Sequence, residues 1–260
     1  MYEAKRLEQD LKKSINRQAF EVYFQPKLDI NANKVCGAEA LVRWKRENKP
    51  MVGPDVFIPI LEKNGLIRKL DFFVLSEVCK NMNYWQKHQM QVVPIAINVS
   101  RAYILDKYFI KKWLQVLEDY EVEPKYIELE ITESMSLKDT KELIKVVNVL
   151  KQKGFSVAMD DFGTGYSSLN FLKDLPIDVI KLDKGFLEGS NLSSKSKTVI
   201  ACIIEMLHQM NIKVVAEGVE TREQMEFLKQ LKCDMIQGYY FARPMHAEEY
   251  EKYLNPLDIL

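Results

Sequence analysis

The stretch Pro94-Ile95-Ala96-Ile97-Asn98-Val99-Ser100 places an apolar run directly before a polar block. Such a run, without polar alternation, is typical of a parallel strand that is buried on both faces. The arrangement recurs along the chain, where seven acidic or amide-bearing blocks stand at predicted strand ends. They are Glu39-Ala40-Leu41, Asn98-Val99-Ser100, Glu130-Ile131-Thr132-Glu133, Asp160-Asp161-Phe162-Gly163-Thr164-Gly165, Lys181-Leu182-Asp183, Glu217-Gly218-Val219-Glu220 and Gln237-Gly238-Tyr239.

The apolar runs and their spacing predict eight strands with helices between most of them. The predicted strands are Phe20–Leu28, Val35–Trp44, Val93–Val99, Tyr126–Thr132, Ser156–Asp160, Val179–Leu182, Lys213–Ala216 and Met235–Gly238. Helical patterns cover Lys141–Lys153 and Thr198–Met210, and the capping box Thr221-Arg222-Glu223-Gln224 opens another helix. Alternating strands and helices over about 250 residues predict an α/β fold, a TIM-type (β/α)8 barrel.

The first two strands are separated only by the link Asp29-Ile30-Asn31-Ala32-Asn33-Lys34. A parallel crossover needs a dozen or more residues, whereas a short link containing Asn suits a hairpin. The sequence therefore predicts a modified barrel whose first strand runs antiparallel to the second.

Length and charge narrow the class of protein. The 260 residues predict one domain, and 37 basic against 37 acidic residues give zero net charge, which argues against duplex DNA as the main partner. The charged start of the chain does not resemble a signal peptide, and no apolar run is long enough for a membrane span. We expect a cytoplasmic location, either alone or as the cytoplasmic portion of a larger, membrane-attached protein.

The cysteines and histidines do not form a zinc pattern. None of the four cysteines belongs to a C-x-x-C pair, and the three histidines lie far apart in sequence. Reduced, buried thiols are the expected state of the cysteines. Any metal should therefore be a hard ion that prefers oxygen ligands.

The polar groups at the strand ends point to such a metal. In a barrel of this type they would converge on one rim, and several buried carboxylates together are costly without cations. Five carboxylates nearly balance two divalent ions, with an amide as a neutral oxygen ligand. The candidates are Glu39, Asn98, Glu130, Asp160, Asp161 and Glu217.

Each block by itself also fits an ordinary structural role. Asp160-Asp161 before Phe-Gly suits a turn or a helix cap, and Asn98 suits a strand-end cap. Lys181 could simply pair with Asp183 or Asp178. The placement of all the blocks at successive strand ends is what favours a shared site.

These blocks, taken in order from about Leu11 to about Pro244, resemble the EAL family of cyclic di-GMP phosphodiesterases. Further shared blocks are Tyr23-Phe24-Gln25-Pro26, Glu39-Ala40-Leu41-Val42-Arg43-Trp44 and Phe57-Ile58-Pro59. The resemblance implies a single EAL-type domain over residues 1–260. It also implies that the chain hydrolyses cyclic di-GMP to linear 5′-pGpG with two Mg²⁺ or Mn²⁺ ions in each active site.

The resemblance also implies roles for individual residues. Glu39, Asn98, Glu130 and Asp160 match the ligands of one metal, while Asp160, Asp161 and Glu217 match those of the second. The implied catalytic residues are Lys181, which contacts the attacking water, together with Glu217 and Glu220. Gln25, Arg43 and Gln237 match substrate-binding positions. Glu133 and the loop containing Gly163, Thr164 and Gly165 match a loop that orders the metal site and couples it to a homodimer.

The chain departs from the family pattern at two places. Lys27 stands where many members have an aliphatic residue, and the Lys45–Met51 stretch lacks a glycine common in that loop. Neither belongs to the implied metal set. Because no acidic or lysine position of that set is lost, an enzyme is favoured over a catalytically silent cyclic di-GMP receptor or protein-docking module.

The sequence is also compatible with a different reaction and with a longer parent protein. A Mg²⁺ barrel enzyme that abstracts a proton would use Lys181 as its base, but Gln25 and Gln237 give it no support. Met1-Tyr2-Glu3-Ala4-Lys5 is similar to the closing helix of GGDEF domains, so residues 1–12 fit a linker from a longer protein with GGDEF or sensory domains. An ordinary amphipathic leading helix fits these residues equally well.

Overall fold

The computed structural model describes residues 10–11, 14, 19–46, 50–104, 106, 108–132, 140–164, 172–187 and 193–255. Within these ranges eight strands form a closed barrel in which sequential neighbours are hydrogen-bonded. The strands are β1 Phe20–Asp29, β2 Lys34–Trp44, β3 Ile95–Asn98, β4 Ile127–Thr132, β5 Ser156–Phe162, β6 Val179–Leu182, β7 Lys213–Ala216 and β8 Met235–Ile236.

The direction of the first strand is confirmed. β1 runs antiparallel to β2, with Gln25 opposite Glu39, and antiparallel to β8. The other neighbouring pairs from β2 to β8 are parallel. In the link, Asp29 Oδ1 accepts hydrogen bonds from the backbone N–H groups of Asn31 and Ala32, and Asn33 has a left-handed φ of 50°. These are turn conformations that Asp and Asn tolerate, so the short link closes a hairpin.

Helices lie between most of the strands and cover the outside of the barrel. They are α1 Pro54–Lys63, α2 Ile67–Lys87, α3 Arg101–Ile104, α4 Phe109–Asp119, α5 Thr140–Gln152, α6 Ser194–Gln209, α7 Arg222–Gln230 and α8 Ala247–Leu254. The capping box is confirmed: Gln224 N–H donates to Thr221 Oγ1, and the Gln224 side chain accepts from Thr221 N–H. No helix among the described segments is long and apolar enough to cross a bilayer.

Some predicted boundaries were wrong. β3 was expected over Val93–Val99 and β8 over Met235–Gly238, but both strands are shorter. At β8 the reason is a close backbone approach, because an added Cβ on Gly238 would lie 2.1 Å from Val219 O. Helix α6 was expected to begin at Thr198, yet it begins at Ser194 because Ser193 caps it by accepting from Ser196 N–H.

Two apolar cores lie among the described residues and stabilise the molecule. The large one lies between barrel and helices and contains the buried rings of Trp44, Trp85 and Trp113. A small one consists of Ala158, Val179 and Val215, with Met235 packed against it. Side chains alternate along a strand, so residues two positions apart share a face. Asp160, Lys181 and Glu217 each lie two positions after a member of the small cluster, and these polar groups therefore share its inward face. The inside of the barrel is thus apolar only in part.

Candidate metal centre at the mouth of the barrel

A cavity of about 380 Å³ opens at the carboxyl ends of the parallel strands. This is the end at which barrel enzymes carry their sites. The lining residues come from the beginning, the middle and the end of the chain, and they are Gln25, Glu39, Asp161, Asp183, Lys184, Glu217, Gly218, Glu220, Gln237, Gly238 and Tyr239. The closed sheet therefore brings together residues more than 200 positions apart.

Lys181 is the centre of this site. Its side chain is 1% exposed, and its Nζ contacts four carboxylates from different strand ends. The distances are 3.2 Å to Glu39 Oε2, 2.9 Å to Glu130 Oε2, 3.0 Å to Asp160 Oδ1 and 2.8 Å to Glu217 Oε1. The predicted convergence of these four carboxylates is confirmed.

The simpler pairings of Lys181 with neighbouring aspartates do not occur. Asp178 instead pairs with Lys151 and accepts the backbone N–H of Val157. Asp183 accepts the backbone N–H of Gly185.

Amide side chains complete the inner face of the site. Gln237 Nε2 donates to Glu39 Oε2 at 2.7 Å and to Gln25 Oε1 at 3.1 Å. Asn98 Nδ2 donates to Glu39 Oε1 at 2.9 Å and to Glu130 Oε2 at 3.3 Å. An amide also carries an acceptor oxygen, so Asn98 stands where it could offer that oxygen to a cation held by the same carboxylates.

The adjacent acids Asp160 and Asp161 lie at an irregularity in β5. The register with β6 shifts between Met159 and Phe162, and Asp161 has a left-handed φ of 56°. Asp160 Oδ1 accepts the N–H of Asp161 at 2.9 Å. A bulge of this kind re-aims side chains. The bulge lets both acids face the mouth, whereas regular alternation would place them on opposite faces of the sheet.

Sequence reasoning missed two charged residues beneath the mouth. Lys27 Nζ contacts Glu128 Oε1 at 2.8 Å and Glu130 Oε1 at 2.9 Å, and its side chain is 3% exposed. Alternation was the available signal, because Lys27 is two residues from Gln25, and Glu128 is two residues from Glu130. Residues spaced by two share a strand face, so both should have been expected inside.

Burial and neighbouring charge set the protonation of these groups. Burial opposes ionisation of Glu39, but Lys181 and Lys27 outweigh it and lower the pKa of Glu39 to about 2. Burial raises the pKa of Glu130 to about 8, and the Glu39 charge adds to this. Burial likewise raises the pKa of Glu217 to about 7. Two lysines are therefore too little positive charge to keep every carboxylate ionised at neutral pH.

The donor set fits hard divalent cations. Ligand oxygens lie within 4.8 Å of one another in two carboxylate groups that share Asp160, and the groups are Glu39, Glu130 and Asp160, and Asp160, Asp161 and Glu217. Counting Glu128, the site has six carboxylates and two buried lysines, so the ionised groups carry a net charge of four negative units. Two divalent cations would neutralise this charge. Buried Gln237 Oε1 also has no partner among the described residues. The residues present can hold two such ions.

The remaining predicted positions are placed less centrally. Glu220 is exposed and lines the cavity. Arg43 does not line it: this side chain is half-buried on β2, opposite Glu21, and donates to Val42 O. Gly163 and Thr164 follow β5, and an added Cβ on Gly163 would collide with the Phe186 ring. The predictions for Glu133 and Gly165 lie outside the described residues.

A larger cavity of about 660 Å³ opens at the opposite end of the barrel. Several of its charged lining residues are paired: Asp234 contacts His208 and accepts the N–H of Val214, and Asp178 pairs with Lys151. Lys27 and Glu128 form its inner wall. The two residues therefore separate this cavity from the carboxylates at the mouth.

Comparison with known proteins agrees with this geometry. The EAL domain family model matches residues 8–244. The bifunctional diguanylate cyclase/cyclic di-GMP phosphodiesterase MucR of Pseudomonas aeruginosa is 35% identical over 240 residues, which are 92% of this chain and 35% of MucR. The cyclic di-GMP phosphodiesterase NbdA of the same species is 33% identical over 249 residues, 96% of this chain and 32% of NbdA. The chain spans about a third of the length of these curated relatives.

A solved structure shows the same architecture. PaMucR phosphodiesterase, in a c-di-GMP complex, superposes with a TM-score of 0.89 at 34% sequence identity. The match covers 94% of this chain and 99% of that chain. The TIM-type barrel expected from the sequence is therefore confirmed by both topology and comparison.

Proposed function

Because the chain belongs to the EAL domain family, we propose that it is a metal-dependent phosphodiesterase that hydrolyses cyclic di-GMP to linear 5′-pGpG. The observation that carries this proposal is the gathering of four carboxylates from distant strands around Lys181. The relatives MucR and NbdA, whose names describe cyclic di-GMP phosphodiesterases, support the choice of substrate.

Two groups of residues would hold the cations. Glu39, Asn98, Glu130 and Asp160 would hold one Mg²⁺ or Mn²⁺, and Asp160, Asp161 and Glu217 the second. When bound, two such ions neutralise phosphate charge and lower the pKa of a water at the site.

The proposed reaction is the hydrolysis of one of the two phosphodiester bonds of cyclic di-GMP. Water attacks phosphorus, the bond from phosphorus to the 3′-oxygen breaks, and that oxygen leaves as a hydroxyl while the 5′-phosphate stays on the product. Burial lowers the pKa of Lys181, but Glu130, Glu39 and Glu217 outweigh burial and hold it well above its usual value. Lys181 is therefore a charged donor that orients water or stabilises developing charge.

This protonation state argues against a proton-abstracting enzyme. Such a reaction needs a neutral amine, and a lysine becomes a base only when its pKa is depressed. The surroundings of Lys181 have the opposite effect.

Amide groups around the mouth would read the substrate. Gln25 and Gln237 are buried, line the cavity and contact each other. Their amides offer both donors and acceptors to a guanine edge. Glu220 lies at the exposed margin of the cavity, where it would act near the reacting phosphate, and Arg43 would meet the substrate's outer phosphate beyond the rim.

Product analysis with purified protein tests the proposal. Cyclic di-GMP with Mg²⁺ or Mn²⁺ should yield pGpG, and a chelator should stop the reaction. Glu39→Gln should abolish turnover, whereas Glu118→Gln, an exposed change on α4, should not. Saturable binding without product under both metals would identify a catalytically silent receptor instead.

The regulatory setting follows from the same proposal. Residues 1–260 would act as one EAL-type domain in the cytoplasm, where thiols stay reduced. All four cysteines are free, but Cys202 is exposed, so the expectation of buried thiols was wrong for this residue. The domain would work as a homodimer whose metal site is ordered by Glu133 together with the loop containing residues 163–165. Sedimentation across a concentration series, with specific activity measured in parallel, tests this dimer.

A further inference from the structure

Glu130 lies on β4, and each of its two carboxylate oxygens contacts a different lysine. Oε1 contacts Lys27 Nζ at 2.9 Å. Oε2 contacts Lys181 Nζ at 2.9 Å and accepts from Asn98 Nδ2 at 3.3 Å. Glu130 is 1% exposed, so water does not replace either contact. One oxygen thus faces the floor of the site and the other faces its mouth.

Lys27 reaches this carboxylate from below. It stands on β1 two residues beyond Gln25, and its ammonium also contacts Glu128 Oε1 at 2.8 Å. Ser156 Oγ donates to the other oxygen of Glu128 at 3.2 Å. The ammonium is therefore fixed from two sides, and its position is set by β1, β4 and β5 together.

We propose that Lys27 is a positioning residue for metal binding, which holds Oε1 of Glu130 so that only Oε2 is presented to the cation site. This inference rests on the proposed function, since it concerns the same metal centre. Lys27 does not touch substrate or the reacting atoms. It acts through Glu130, in the way that outer partners orient metal ligands in other proteins.

The restraint on Glu130 supports the assignment. A carboxylate with both oxygens free can rotate or bind with both, whereas Glu130 is restrained at one oxygen. The positive charge of Lys27 by itself repels a cation, so loss of Lys27 would strengthen cation binding if charge alone mattered. Weaker cation binding after loss of Lys27, in a protein that still folds, is therefore the specific sign of a positioning role.

The competing explanation is that Lys27 merely neutralises Glu128. A comparison of Glu128→Leu with Lys27→Met/Glu128→Leu separates the two, because both proteins lack Glu128 and differ only at Lys27. The double variant replaces a buried ion pair by apolar residues, which is often tolerated, and in Glu128→Leu the Lys27 ammonium keeps Glu130 as its partner. Circular dichroism and a thermal melt check that both variants fold.

Binding of Mn²⁺ alone, followed by the electron paramagnetic resonance of free Mn²⁺, is the measurement. Glu128→Leu should bind Mn²⁺ within about threefold of the unmodified protein, and the double variant should bind roughly 10- to 100-fold more weakly, the usual effect of losing an outer partner. Equal or tighter binding of Mn²⁺ by the double variant would overturn the proposal. Because substrate is absent, a protein that binds Mn²⁺ but does not cleave cyclic di-GMP refutes the proposed function and leaves this test intact.

A crystal structure of the unmodified protein with Mn²⁺ gives a second test that needs no variant. Lys27 should remain on Oε1 of Glu130, and Mn²⁺ should contact Oε2 alone. Ligation by both oxygens, with Lys27 turned away, would refute the assignment.

Discussion

Replacement of Lys181 by methionine removes a buried ammonium and keeps most of its aliphatic stem. Four carboxylates at 2.8 to 3.2 Å from Nζ then face one another without that charge. Lys27 contacts only Glu130 among these four, through the oxygen that faces away from the mouth. The variant should therefore be destabilised most when metal is absent.

The magnitude follows from the burial of the group. Removing one partner from a buried ion pair costs roughly 3–5 kcal/mol. In a domain of this size each kcal/mol lowers Tm by about 2–4 °C, which gives a fall of roughly 6–20 °C. The smaller fall in Tm is expected at acidic pH, because burial already raises the pKa of Glu130 to about 8 and that of Glu217 to about 7. Protonation of these groups then replaces part of the missing charge.

Scanning calorimetry at pH 8, first with a chelator and then with saturating Mg²⁺, measures the effect. The deficit of Lys181→Met should shrink to about 1 kcal/mol with Mg²⁺, since cations compensate the same carboxylates. Lys111→Met, on the exposed face of α4, is the matched control and should melt with the unmodified protein. A metal-free Lys181→Met protein as stable as this control would refute the electrostatic account of the site.

Three further predictions concern the frame of the barrel. Gly238→Ala should lower the free energy of unfolding by roughly 3 kcal/mol or more, because the added Cβ would lie 2.1 Å from Val219 O. Gly53→Ala, where the added Cβ meets open space, should lower it by less than about 1 kcal/mol, and urea titrations measure both effects. Burial raises the pKa of Asp71 to about 7, so the folded state keeps a proton that the unfolded state loses near pH 4. The stability that this group contributes is therefore lost as the pH rises toward 7. Between pH 5 and pH 8 the free energy of unfolding of Asp71→Asn should rise by about 2–3 kcal/mol relative to that of the unmodified protein, and curves of this free energy against pH that run parallel would contradict the prediction. Thr221→Ala should destabilise the protein by about 1 kcal/mol through loss of the capping box, and an unchanged urea midpoint would count against that role.

Much of the architecture could be predicted from local patterns. The bounds of β6 and β7 matched the predicted Val179–Leu182 and Lys213–Ala216, because short apolar runs between polar blocks leave little choice of boundary. β8 was predicted too long, since the approach of Gly238 to Val219 involves another part of the chain. Local pattern therefore located the strands better than it located their ends.

The site shows the same division. The acids at the strand ends could be recognised as a set, because a barrel brings the carboxyl ends of its parallel strands to one rim. Lys27 was set aside as a minor departure from the family pattern. Its importance depends on the reach of a long side chain across the barrel to Glu128 and Glu130.

Residue order along the chain was enough to establish the alternation of strands and helices, the reversed first strand and the identity of the acidic groups, since each depends on spacing within a few residues. Closure of the sheet decided which groups meet: four carboxylates on Lys181, Lys27 beneath Glu130, and Arg43 outside the cavity. The distances between these groups follow from strand register and from the bulge at Asp160, where the pairing register between β5 and β6 shifts. Register is a relation between segments far apart in sequence, so no single segment contains it.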